Sequence, residues 1–418
     1  MSNNQYWRLV RDNANFRNLW FGQIISSLGD WFNLIASATL IAMLTGSGTA
    51  VGGLFVVRML APFVVSPFAG VLADRVNRKH LLIATDLVRG VVVLGFFLVR
   101  EPGDVWLLYT LTAVQLGISG FFFPTRTAIL PDLVDREDLG AANALSSATW
   151  SVMLALGTAL GGFVAGGFGV TIAFAVDAIT FFLSAFFILR IVYTPDVNLS
   201  SKDRKTRGFE NPLGQYIEGL RYLRAHHDVL IYAVQKAIVA LLVWGSFQVL
   251  QVNIAEQVFV IGEGGGIGLG FIFAVSGIGT GLGPIFVRWL TGDRDGPLRR
   301  AMILNYLVAA VGIAMIAPLG GFGWVLLGTF LRGFGSGVAW VFSTQLLLQS
   351  VPDKMRGRVF ATEFALFTLA GAAGAYLVGF GADSLGLSPL IWLLAGLTML
   401  PGLFFLPWAM RKVKGSQT

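Results

Sequence analysis

The sequence predicts an all-α membrane protein with twelve transmembrane helices arranged as two six-helix halves. Hydrophobic residues make up 55% of the 418 residues and charged residues only 13%, whereas roughly one-quarter of the residues in soluble domains are charged. Twelve stretches are apolar and long enough for a helix of about 20 residues, the length that crosses the hydrocarbon of a bilayer. Basic residues collect on one side of these stretches. A soluble fold has no interior for this much apolar surface.

The twelve predicted spans follow one another closely. They cover residues 18–42, 49–72, 80–99, 105–128, 143–166, 170–190, 229–253, 267–290, 299–318, 322–347, 359–382 and 388–409. One long polar stretch separates the sixth span from the seventh, so we expect an N-terminal half over 1–193, a cytoplasmic linker over 194–228 and a C-terminal half over 229–418. Apolar residues at helical spacing predict an amphipathic helix in the linker that lies on the membrane surface: Tyr216, Ile217, Leu220 and Leu223.

The basic residues set the expected orientation. If the loops after odd-numbered spans face outward, they contain one basic residue, Arg100, while most of the 30 Lys and Arg residues lie in loops on the other side. Positively charged loops stay in the cytoplasm, so we expect a multi-pass protein of the inner (plasma) membrane with both termini cytoplasmic. The net charge of +7 then faces the anionic lipid of the inner leaflet, and no nucleic-acid partner is expected.

Several kinds of chemistry are not expected from this composition. The chain has no Cys, and its three histidines, His80, His226 and His227, fall in polar connections, so neither a disulfide nor a zinc site is predicted. The Gly-x-x-x-x-Gly-Lys-Ser/Thr loop that binds nucleotide phosphates is missing as well. We therefore expect no cofactor, no metal and no enzymatic activity.

The two halves carry short matching segments. Leu130-Pro131-Asp132 after the fourth span is echoed by Val351-Pro352-Asp353 after the tenth, and Ala144-Leu145 by Ala365-Leu366 at the same offset. Matches at equivalent places in two six-helix sets indicate an internal duplication, and such proteins place their binding site between the repeats.

One motif lies between the second and third spans. It reads Gly70-Val71-Leu72-Ala73-Asp74-Arg75-Val76-Asn77-Arg78-Lys79. It resembles the major facilitator signature Gly-x-Leu-Ala-Asp-Arg-x-Gly-Arg-Lys at every fixed position except Asn77, and asparagine also tolerates the left-handed backbone that glycine supplies. The resemblance implies the major facilitator fold, with two pseudo-symmetric halves.

An acidic side chain at a helix end, flanked by arginines, can attach to a neighbouring helix terminus or a basic partner. We therefore expect a cytoplasmic latch formed by Gly70, Asp74, Arg75, Arg78, Lys79, Arg126 and Asp132. The alternative is that the basic cluster only enforces the topology.

A second set of segments is similar to one branch of that superfamily. Residues 123–134, the run Ala142-Asn143-Ala144-Leu145 and Gly29-Asp30 resemble the enterobactin exporter and the macrolide efflux proteins. The resemblance implies a monomeric proton antiporter that exports a small amphiphilic organic molecule, such as a drug, a macrolide or a siderophore, with membrane lipid around it. Two alternatives stay open: a lysophospholipid translocase, whose branch also has Gly-Asp in the first helix, and a membrane sensor that transports nothing.

The stretch Gly157-Thr158-Ala159-Leu160-Gly161-Gly162 is similar to the antiporter signature Gly-Pro-x-x-Gly-Gly, with Thr158 in place of proline. Its alternative interpretation is a glycine face for close helix packing.

Polar residues recur every three or four positions on the first span, which gives that helix one polar face. Weaker versions occur on the fourth, seventh and tenth spans, the helices that line the cavity in the family fold. The residues expected to line a cavity are Gln23, Ser26, Asn33, Ser37, Gln115, Ser119, Ser246, Asn253, Arg332 and Ser336.

Ionisable residues inside a membrane are costly and therefore functional candidates. Asp30 and Arg58 are both expected near mid-membrane, where they could pair. Glu363 and Lys236 lie at similar shallow inner depths, which favours a gating or structural pair between them. We predict proton coupling by Asp30, Arg58 and Glu363, with Asp30 as the main candidate. A purely structural Asp30–Arg58 pair is the alternative.

Single cysteines introduced into this cysteine-free chain test the topology. Three positions in the expected outer loops should react with a membrane-impermeant maleimide in intact cells: Ser47, Gly262 and Leu387. Three others should react only after the membrane is opened: Asn77, Lys205 and Lys354. Reaction of position 205 from the outside would overturn the orientation.

Overall fold

The protein is helical in all the ranges that its structure, a computed structural model, describes. These ranges are residues 3–193, 212–292 and 294–411, and they contain no β-strand. Twelve of the helical segments are long and apolar enough to cross a membrane. The all-α class and the number of spans predicted from the sequence are therefore confirmed.

The described chain contains fifteen α-helices. The first seven are α1 (Asn3–Asp12), α2 (Ala14–Thr45), α3 (Gly48–Arg75), α4 (Arg78–Leu94), α5 (Val105–Leu133), α6 (Leu139–Phe168) and α7 (Val170–Leu189). The others are α8 (Pro212–Ala225), α9 (His227–Val239), α10 (Gly245–Asn253), α11 (Gly266–Thr291), α12 (Asp295–Ile316), α13 (Phe322–Ser350), α14 (Asp353–Leu385) and α15 (Leu387–Ala409). Most spanning helices outrun their predicted spans, because counting apolar residues omits the turns that lie in the headgroup region.

The seventh span is interrupted by two π-helical segments. Ala240–Trp244 separates α9 from α10, and Ile254–Val258 follows α10. Ser246 Oγ donates to the Leu241 carbonyl at 2.5 Å, within the widened turn. Gly245 begins α10 where α14 passes closely, since a Cβ there would lie 2.2 Å from the Gly371 oxygen. Hydrophobic periodicity assumes a regular helix, so these widened turns could not be predicted from it.

The first of two compact units contains α1, α2, the chain from residue 60 through α7, and residues 261–270. In it α2 packs against α6 and α7, and α4 packs against α5 and α7. Leu9 of α1 is buried in a cluster with Phe16, Ile129 and Ile188, which attaches the N-terminal helix to this unit.

The glycine-rich stretch of α6 serves close packing in the first unit. A Cβ on Gly162 would lie 2.5 Å from the Gly270 Cα, and one on Gly161 would lie 3.1 Å from the Phe32 Cα. Thr158, which replaces the signature proline, donates its hydroxyl to the Leu154 carbonyl at 2.6 Å. These contacts match the packing interpretation of the segment.

The second compact unit contains residues 46–59, the chain from residue 211 to 260, and the chain from residue 271 onward. Asp383 near the end of α14 accepts hydrogen bonds from the backbone N–H groups of Gly48 at 2.6 Å and Thr49 at 2.9 Å. These N–H groups lie in the first turn of α3, where no intrahelical acceptor is available. The start of α3 is therefore capped by a residue 335 positions away.

The linker helix predicted from Tyr216 to Leu223 runs over Pro212–Ala225 as α8. Leu223 is buried, whereas Ile217 is exposed. Gly219 faces α14, because a Cβ there would lie 2.5 Å from the Arg358 oxygen. Residues 194–211 of the predicted linker lie outside the described residues.

The tight pair α12 and α13 in the second unit gives a test of packing. A Cβ on Gly328 would lie 2.5 Å from the Gly312 carbonyl oxygen, while one on Gly396 of α15 would meet no atom within 4 Å. We expect Gly328→Ala to destabilise the protein by about 1–3 kcal/mol through overpacking and to lower its melting temperature in detergent. The matched control Gly396→Ala should leave that temperature unchanged or raise it, because alanine favours the helix. Equal melting temperatures for the two variants would contradict the packing argument.

Candidate functional site

Three charged residues meet between α2, α4 and α7. The Arg89 guanidinium forms a salt bridge with Asp30 and lies 3.6 Å from Asp86. The Ser184 hydroxyl of α7 donates to Asp86 at 2.6 Å. The Arg89 side chain is 1% exposed and that of Asp86 is fully buried, but the Asp30 side chain is 35% exposed. Two carboxylates thus share one cation, and one of the two carboxylates is accessible.

Gly29 brings α2 close enough to α7 for this arrangement. A Cβ at Gly29 would lie 2.0 Å from the Thr180 Oγ1 and 2.5 Å from an Asp177 oxygen. Phe181, on the same helix α7, places its ring centroid 4.0 Å from the guanidinium carbon of Arg89. The Gly29-Asp30 pair noted in the sequence therefore combines a close approach with a charged contact.

The expected partner of Asp30 is corrected by these contacts. The sequence suggested pairing with Arg58, but the structure gives Asp30 the cation Arg89. Arg58 is half-buried in the part of α3 that belongs to the second unit. Asp86 and Arg89 are three residues apart on one helix, a spacing at which oppositely charged side chains pair. A guanidinium has five N–H donors. This capacity was the available indication that Arg89 binds a second carboxylate besides Asp86.

Glu363 and Lys236 form the pair that the sequence predicted. Their side chains meet at 2.8 Å between α14 and α9, and they are 3% and 8% exposed. The Lys236 ammonium lies 4.6 Å from the centroid of the Trp340 ring. Both charges are therefore compensated within the second unit.

The loop between α3 and α4 is tied to α5 by one of the predicted latch residues. Arg78 donates to Asp132 at 2.9 Å and to the Ala128 carbonyl at 3.0 Å. The Tyr193 hydroxyl donates to the same Asp132 carboxylate at 3.1 Å. Burial, together with the Asp132 charge, raises the pKa of Tyr193. Lys79 is half-buried. The burial of Gly70 and the side chains of Asp74 and Arg75 lie outside the described part of the structure.

Asn77 has a different structural role from the one inferred from the sequence. Its φ of −63° and ψ of 116° place it in the extended region, and its side chain accepts a hydrogen bond from the His80 N–H. Asn77 is therefore the N-cap of α4. Asparagine occurs here for its side-chain oxygen and not for tolerance of left-handed backbone.

Arg126 lies apart from the Arg78–Asp132 contact and lines a pocket between α2, α5 and α6. It is lined by Phe16, Leu19, Trp20, Gln23, Arg126, Thr127, Leu130, Asn143 and Ser146. The Arg126 guanidinium carbon lies 4.9 Å from the centroid of the Phe123 ring. Arg126 was predicted as a latch residue, and in the structure it lines this pocket.

The other predicted cavity residues are mostly buried against protein. Gln23 donates to the Ser146 carbonyl at 3.0 Å, and Arg332 donates to the Ser276 hydroxyl at 2.8 Å. Ser119 and Ser336 are half-buried. The remainder are less than 9% exposed: Ser26, Asn33, Ser37, Gln115, Ser246 and Asn253. Gln23 is the member of this set that lines the Arg126 pocket.

No group of three or more His, Asp or Glu residues suited to a metal ion occurs in the described ranges.

Comparisons with known proteins agree with this architecture. The chain is 28% identical over 397 residues to the uncharacterized MFS-type transporter YfiS of Bacillus subtilis (strain 168), covering 91% of this chain and 89% of that protein. It is 25% identical to the putative bacilysin exporter BacE of Bacillus amyloliquefaciens, covering 92% and 93%. It is 27% identical to the enterobactin exporter EntS of Escherichia coli O6:K15:H31 (strain 536 / UPEC), covering 90% and 88%.

A crystal structure of a mutant peptide transporter POT in complex with alafosfalin shares the fold, with a TM-score of 0.71, 15% identity and 96% coverage of both chains. The model of the Major Facilitator Superfamily matches residues 19–375. With twelve spanning helices, this sequence match and this fold, the chain belongs to the Major Facilitator Superfamily.

Proposed function

We propose that this protein is a secondary active exporter of a small amphiphilic organic molecule, driven by proton entry, with Asp30 as the coupling residue. The observation that carries the proposal is the cluster of Asp30, Arg89 and Asp86, in which two carboxylates share one buried cation. Its relatives BacE and EntS are named as exporters, and this supports the direction of transport.

The charge balance of the cluster explains why it would take a proton. With both carboxylates ionised, one guanidinium leaves a net negative charge near the middle of α2 and α4. An uncompensated charge inside a membrane is unfavourable, and a proton removes it. Asp30 is the accessible member, because its side chain is 35% exposed while Asp86 is fully buried.

Protonation of Asp30 also offers a mechanical step. A neutral Asp30 no longer holds the guanidinium by charge, and Arg89 keeps Asp86 as its partner at 3.6 Å. The contact between α2 and α4 would then loosen while the contact within α4 persists. A proton and a substrate that favour opposite states of this contact are sufficient for antiport by alternating access.

We further propose that the loop cluster of Arg78 and Asp132, together with Asp74, Arg75 and Lys79, forms the cytoplasmic latch. The Arg78–Asp132 contact of 2.9 Å supports a fixed position for the α3–α4 loop. A charge-assisted contact of this kind can shift a nearly balanced equilibrium between two conformations.

Replacing Asp30 tests the coupling role. We expect Asp30→Asn to fold, because Arg89 retains Asp86 and is not left without a counter-charge. Inverted vesicles made acid inside should then lose uphill uptake of erythromycin, ethidium or enterobactin, while downhill flux of the same compound remains. Asp30→Glu should retain part of the coupling because it keeps the carboxylate.

The comparison variant is Lys236→Met/Glu363→Met, which removes both charges of the other buried pair at once. Replacing a whole buried pair with apolar residues is often neutral for stability, and we expect pH-driven uptake to persist. If Asp30→Asn instead transports at the normal rate with normal pH dependence, Asp30 is structural and Glu363 becomes the next candidate.

A further inference from the structure

The Arg126 pocket contains a buried positive charge with no carboxylate beside it. Arg126 is 9% exposed, and none of the eight other lining residues is acidic. Among the side chains that the structure describes, no Asp or Glu pairs with Arg126, whereas Arg89, Lys236 and Arg78 each have such a partner. A buried cation without a counter-charge is unfavourable.

The Arg126 side chain is arranged so that its polar edge remains available. The Phe123 ring covers one face of the guanidinium at 4.9 Å. The N–H groups lie around the edge of the guanidinium plane, in a fork whose geometry matches the two oxygens of a carboxylate, phosphate or sulfonate. A lysine ammonium would supply the positive charge but not the pair of parallel N–H donors.

The opposite part of the pocket is aromatic and rigid. Phe16 and Trp20 stack with their ring centroids 6.5 Å apart, and the Trp20 indole N–H donates to Thr149 at 2.8 Å. Trp20 therefore presents its apolar surface in a fixed orientation. Its neighbour Gln23 is held by its bond to the Ser146 carbonyl. An apolar ring and an anionic group would each find a matching surface here.

We propose that this pocket binds the anionic head of an amphiphilic small molecule, through Arg126 for the charge and Phe16 and Trp20 for the apolar body. That the ligand is an exported substrate rests on the proposed function. Binding of an anion to the pocket does not rest on that function, because binding needs no proton gradient.

A pair of fluorescent probes tests the charge requirement. 1-Anilinonaphthalene-8-sulfonate is an anion, and N-phenyl-1-naphthylamine has the same aromatic frame without the sulfonate. Each is titrated into the full-length protein in nanodiscs of phosphatidylcholine, with the signal of empty nanodiscs subtracted. Arg126→Gln should weaken binding of the sulfonate by about tenfold or more, the usual effect of a lost charged hydrogen bond. Binding of the uncharged probe should not change.

Two further variants keep this test decisive. Arg126→Lys should bind the sulfonate better than Arg126→Gln and less tightly than the original protein, and retained binding of the uncharged probe shows that both variants are folded. The matched control is Arg299→Gln, which removes another largely buried arginine, one that pairs with Asp228 at 3.5 Å, and it should leave both affinities unchanged.

The proposal is overturned if Arg126→Gln binds the sulfonate as tightly as the original protein, or if both probes lose affinity equally. Adding phosphatidylglycerol to the nanodiscs separates two sources of the anion. Displacement of the sulfonate by this lipid identifies a lipid headgroup, and no displacement identifies an amphiphile from the aqueous phase. If Asp30 variants show no proton coupling while the sulfonate still requires Arg126, the proposed antiport fails and the anion site stands.

Discussion

A charge inside a membrane needs a partner, and this constraint governs how the polar side chains of this protein are placed. In water an exposed ion pair contributes little, but a buried ion without a counter-charge is strongly unfavourable. Arg89 therefore joins α4 to α2 through Asp30, and Lys236 joins α9 to α14 through Glu363. The contacts that compensate these charges also decide which helices lie side by side.

Close helix packing is the second requirement, and glycine meets it. Helices in lipid gain little from hydrophobic burial, so small residues that allow backbone approach become important. Gly29 shows how packing and charge depend on each other. Its missing side chain lets α2 approach Thr180 and Asp177 of α7, and the next residue, Asp30, then reaches Arg89. A larger residue at position 29 would move the carboxylate as well as the helix.

The two proposed sites both include residues of α2, and their charge imbalances are opposite. The Asp30 cluster contains two acids and one base, and the Arg126 pocket contains a base with no acid among its lining residues. Gln23 of the pocket and Asp30 are about 10 Å apart along α2, at a rise of 1.5 Å per residue. In each place the proposed ligand supplies the missing charge: a proton in one and an organic anion in the other. Movement of α2 would affect both.

By itself the sequence determined the class, the number of spans and the superfamily, because apolar stretches, the positions of basic residues and the Gly70–Lys79 motif can be recognised without knowing how the helices pack. It also predicted the Lys236–Glu363 pair, whose members lie at matching depths. It did not determine that Arg89 is the partner of Asp30, that Asn77 caps α4 or that Arg126 lines a pocket. Helix periodicity gives depth and face but not the neighbouring helix, and a long arginine side chain can reach acceptors on more than one neighbouring helix. The tertiary structure decided those partners, because only the packing of α2 against α4, α6 and α7 fixes which side chains a buried charge can reach.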